Sequence, residues 1–174
     1  MDFIENLNQI MSQIAYGWID KDGGRHTDLA DFAANYALQS PTELQESKLG
    51  VCWDQVELER QILTESNQTP HVFNIIHYGN NINPKMRTHT FLTFDYNGRT
   101  YWYEHAWEKR AGLHEFANQN EALAKIREIF IEDELENVYD PDYLVIYEYP
   151  TPSFHISADD FYAHSEQNGH KITL

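Results

Sequence analysis

The chain of 174 residues has a single cysteine, only 12 lysines and arginines against 28 aspartates and glutamates, and no long uninterrupted apolar run. The lone Cys52 cannot close an internal disulfide, so no oxidising compartment is implied, and a cysteine-rich zinc site is ruled out. The shortage of positive charge leaves no basic stripe to neutralise phosphates, which argues against nucleic acid as a partner. The first residues, MDFIENLNQIMSQIAYGWID, carry acids where a secretion signal carries positive charge, and their apolar residues are interrupted too often to span a bilayer. The expectation is a cytoplasmic protein with no membrane contact. Nine histidines invite a metal reading, but no HExxH spacing occurs, and His71 and His77 lie too far apart along one strand to share an ion. No metal and no cofactor are expected. Repeats, low-complexity tracts and a clear linker are absent too, so residues 1–174 read as one domain.

What is present is ample material for a core, with 41% hydrophobic and 14% aromatic residues. Phe3, Ile4, Leu7, Ile10, Met11 and Ile14 fall at helical spacing, and DKDGGRH breaks that run. A second helix is predicted over DLADFAANYALQ, closed by Ser40-Pro41. SPTELQESKLG is a connection leading into a third helix, Cys52 to Glu65. Strands follow at 71–79, 88–96 and 99–107, rich in aromatic and β-branched residues. Residues 118–135 form an amphipathic helix with an asparagine cap, 142–150 a further strand ended by proline, and SADDFYAHSEQ has helical character. Helices, then strands, then a late helix describe an α+β fold.

Asn97-Gly98 between two strands is a hairpin signal, because a type I′ turn needs positive φ at both central residues. With those two in the loop, Tyr96 faces Arg99, and counting back sets Phe91 opposite Glu104 and His89 opposite Ala106. His89 and Glu104 are then diagonal neighbours on one face, about 7 to 8 Å apart at Cα, while His105 falls on the other face. A bulge would reverse that choice. Cys52 starts a helix, where the dipole and unpaired N–H groups favour a thiolate and can hold an oxyanion. A thiol nucleophile needs a base and a group to orient that base, and His89 and Glu104 fit those roles. The plainer readings are a buried cysteine, a satisfied strand histidine and an ion-paired strand carboxylate.

GVCWD at a helix start, THTFLTF on one strand and YWYEHAWE on the next resemble the transglutaminase-like superfamily, over roughly residues 40–116. The resemblance implies a papain-like core, with N-terminal helices and the nucleophile helix packed on an antiparallel sheet. It implies a Cys, His, Asp triad in that chain order, here Cys52, His89 and Glu104, with Glu replacing the usual Asp. The activity implied is attack on a peptide or carboxamide bond through an acyl-enzyme, resolved by water or an amine, on a protein or peptide substrate. Gln45 and Trp53 are candidates for the oxyanion hole, and Trp102 and Trp107 for the walls of the substrate cleft. Two rival expectations are a catalytically inactive peptide-binding module on the same fold and an NlpC/P60-like peptidase.

Overall fold

The computed structural model describes residues 2–173. The chain opens with helix α1 (Asp2–Met11), followed by the short strands β1 (Ala15–Tyr16), β2 (Trp18–Ile19) and β3 (Arg25–His26). Helices α2 (Phe32–Asn35) and α3 (Pro41–Ser47), strand β4 (Leu49–Gly50) and the long helix α4 (Cys52–Glu65) come next. Strands β5 (Pro70–His77), β6 (Arg87–Tyr96), β7 (Arg99–Glu104) and β8 (Gly112–Phe116) then run into α5 (Gln119–Asp133). The chain ends in β9 (Leu144–Glu148), α6 (Ala158–Asn168) and β10 (His170–Ile172).

Six of these strands make one antiparallel sheet in the order β10-β9-β5-β6-β7-β8, so the class is α+β. Successive strand residues point to opposite faces, and the two faces bury different helices. Val72, Leu92, Phe94, Tyr101 and Tyr103 pack with Ile4, Leu7 and Met11 of α1, Val56 and Leu63 of α4 and Phe161 of α6. Their neighbours Phe73, Ile75, Phe91 and Trp102 pack against Leu123, Ile126, Ile129 and Phe130 of α5.

Helix α4 is buried on every side over its first two turns, Cys52 to Glu59. That explains why its sequence is barely amphipathic. Asp54 ties the helix start to the segments before it. Asp54 accepts hydrogen bonds from the backbone N–H of Val51 at 2.9 Å, from the Gln39 N–H at 2.9 Å and from the Tyr36 hydroxyl at 2.8 Å. A side chain three residues into the helix thus satisfies the N-cap N–H and fastens the preceding loops to the helix start.

Several predicted elements differ. The helix expected over DLADFAANYALQ shrinks to Phe32–Asn35. Asp31 sits at φ 57, and Tyr36 turns extended to bridge Asp20 and reach Asp54. The Leu38 N–H then donates to the Ile156 carbonyl at 3.0 Å, so tertiary pairing overrides helical propensity there. SPTELQESKLG, read as a connection, contains α3, with Ser40 and Glu43 forming a capping box and Pro41 in the first turn. The strand expected to Trp107 ends at Glu104, because the Trp107 N–H donates back to Glu104 Oε1 at 2.8 Å and turns the chain. Among the described residues no helix is long and apolar enough to cross a membrane, and no cluster of three potential metal ligands occurs.

Candidate active site

Asn97 and Gly98 both take positive φ, 51° and 75°, and the hairpin register runs from Tyr96↔Arg99 to Leu92↔Tyr103. Continuing that alternation puts His89 and Glu104 on one face, and their side chains meet, His89 Nε2 to Glu104 Oε2, at 2.8 Å. Both are buried, at 7% and 3% exposure. Glu104 uses its other oxygen for the Trp107 N–H, so its carboxylate cannot swing away from the ring without losing a part-buried hydrogen bond as well. The Trp107 ring itself lies 4.9 Å from the His89 ring, centroid to centroid. His105 falls elsewhere, bonding the Ile14 carbonyl at 3.1 Å.

Cys52 is the first residue of α4 and shares one cleft with His89. Burial alone would lower the proton affinity of His89, but the Glu104 carboxylate first and then the nearby Cys52 thiol outweigh it and raise the pKa to about 10. With Nε2 engaged by Glu104, Nδ1 is the ring nitrogen left for the thiol. The backbone N–H groups in the first turn of α4 have no partner within the helix and point toward the same end.

The cleft encloses about 390 Å³. Its walls include Phe32, Val51, Trp53, Trp107 and Tyr162, and its rim carries Tyr16, Leu29 and Met86, which are 48%, 63% and 42% exposed. The hydroxyl of Tyr16 has its pKa raised, first by charge on Cys52 and then by burial, and that of Tyr162 is raised by burial and then by Cys52. Both phenols therefore keep their protons at neutral pH. Glu59 lies two turns along α4 from Cys52, and its carboxyl pKa is raised well above the usual range, by burial first and then by the Glu104 charge.

The other sequence candidates divide. Trp107 and Trp53 line the cleft. Trp53 stacks on Phe161 at 4.3 Å, and its indole N–H has no partner among the described residues. Gln45 belongs to α3, not to a loop, and is not part of the cleft lining. Trp102 is not on the cleft wall either: it is 1% exposed, stacked on His114 at 4.6 Å in the core beneath α5. It shares a strand face with Glu104 but lies two residues further from the strand end, where α5 covers the sheet. Sequence reasoning missed Tyr16, Phe32, Arg87, Glu134 and Tyr162, which all line the cleft. Only Arg87 had a sequence signal, its position two residues before His89 on the same strand face. The rest arrive from distant segments. No family model, curated protein or solved structure matches the chain.

Proposed function

We propose that the chain is a transglutaminase-like cysteine enzyme on a papain-like core, acting on a peptide or carboxamide bond as a hydrolase or acyltransferase. The observation that carries this reading is the buried contact of 2.8 Å between His89 and Glu104 in the cleft that also holds Cys52 at a helix N-terminus. In this reading the thiol proton already rests on His89, whose cationic ring stands beside the thiolate, and Cys52 Sγ forms a bond to the substrate carbonyl carbon. The oxyanion is met by N–H groups at the start of α4. The C–N bond then breaks as the imidazolium returns the proton to the leaving amine, leaving a thioester. Water or a second amine, deprotonated by His89, releases the acyl group and restores the thiol. Glu104 positions the ring and stabilises its cationic form, the role of the third member of such triads.

The test is selective alkylation. Cys52 should react with iodoacetamide at pH 6 well above the rate of a free thiol, and Cys52→Ala should abolish the label. A wild-type Cys52 that reacts no faster than a free thiol at pH 6 overturns the activated nucleophile.

A further inference from the structure

Arg87 is the only lysine or arginine lining the cleft. It is exposed and takes part in no ion pair among the described residues, although the chain holds 28 acids against 12 bases. On β6 it stands two residues before His89, so both side chains leave the same face about 7 Å apart. Arg87 and Cys52 line the same cleft, so a long arginine side chain rooted beside His89 can meet a group bound there. Leu29, Phe32, Met86 and Trp107 supply apolar surface in the same cleft. Among the described residues that line the cleft, the other charged groups are the His89 ring, shared by wild type and Arg87 variants alike, and Glu134 at the C-terminal end of α5.

Resting on the cysteine-enzyme reading above, we infer that the acyl donor is an anionic, partly apolar one: a peptide or amide with a carboxylate beside the scissile carbonyl, held by Arg87. A guanidinium is suited to this role because its fork matches a carboxylate with two parallel hydrogen bonds. A free cation in a markedly acidic protein also selects locally against the general repulsion of anions. Glu134, in the same cleft lining, repels the anion that Arg87 attracts.

Two alkylating reagents of nearly equal size test the charge preference. Iodoacetate carries a carboxylate and iodoacetamide does not; in both cases Cys52 Sγ bonds the methylene carbon and iodide leaves. The readout is the ratio of their second-order rates at Cys52, followed by mass spectrometry at pH 7 and low salt. A unit charge about 7 Å away at an effective dielectric between about 20 and 80 changes the rate for the anion about three-fold or more. Arg87→Gln should lower the iodoacetate-to-iodoacetamide ratio by at least that factor, Arg87→Glu should lower it further, and Glu134→Gln should raise it. Lys125→Gln, on the exposed side of α5, should leave the ratio at the wild-type value. An unchanged ratio in both Arg87 variants overturns the anionic-donor proposal. Slow alkylation by both reagents overturns the activated nucleophile instead, and the ratio still decides the part played by Arg87.

Discussion

Replacing Glu104 with glutamine removes a charge while keeping the shape that holds Trp107. The glutamine Oε1 can still accept the Trp107 N–H, but its amide then donates to His89 Nε2, which forces the ring proton onto Nδ1 and turns the base away from its task. The electrostatic part is calculable. Opposite charges with centres about 4 Å apart at an effective dielectric of about 20 attract by about 4 kcal/mol, equivalent to about three pH units of proton affinity. The His89 pKa, raised to about 10 in the intact site, should therefore fall to about 7 or lower, where burial dominates. The assay is the rate of Cys52 alkylation by iodoacetamide as a function of pH. Wild-type protein should show no His89 inflection between about pH 6 and 9, since the ring keeps its proton throughout. Glu104→Gln should introduce one near or below pH 7 and lower the rate at neutrality. Superimposable profiles would refute the claim that Glu104 governs the base.

Two further outcomes concern stability. Burial first, against hydrogen bonds from Gln39 and Tyr36, raises the Asp54 pKa from 3.8 to about 7, and Glu57 and Glu59 are raised by burial as well. A carboxyl with a raised folded-state pKa stabilises the fold fully below its unfolded value and loses that contribution as pH climbs through the folded one, for Asp54 on the order of 4 kcal/mol between about pH 4 and 7. His89 adds the same sign above its unfolded value, whereas Glu43, brought down to about 2 by hydrogen bonds from Ser40 and then His155, withdraws support only as pH falls through the acid range. Urea midpoints should peak at about pH 4 and decline toward pH 8, and a midpoint that rises over that interval would contradict the burial of these acids. At the hairpin, Gly98 sits at φ 75 with nothing within 4 Å of an added Cβ, so Gly98→Ala carries backbone strain alone. It should cost about 1 kcal/mol in urea unfolding, and a neutral result would count against the type I′ turn.

The readable parts of this molecule were those governed by local rules. A two-residue turn with glycine sets the register of β6 and β7, and the period of two along each strand then brings His89 toward Glu104 and turns His105 away. Cys52 opens a helix whose bounds, Cys52–Glu65, follow from glycine before it and a long stretch without proline after it. Where long-range pairing competes with propensity, local reading lost its footing: Tyr36 leaves helix α2 to bond Asp54, and Gln45 is carried into α3.

The sequence by itself determined the place of Cys52 at a helix start and the pairing of His89 with Glu104, because both depend on spacing within a few residues or across one tight turn. Tertiary structure decided the rest. Trp102 and Trp107, five residues apart, look alike in the sequence, yet α5 covers the first and the turn held by Glu104 swings the second into the cleft. The cleft is lined by Tyr16, Phe32, Arg87, Glu134 and Tyr162, on elements that meet only when the sheet is covered on both faces. A site's chemistry can be written in short-range periodicity, but its enclosure is a sum of long-range packing contacts that no local pattern encodes.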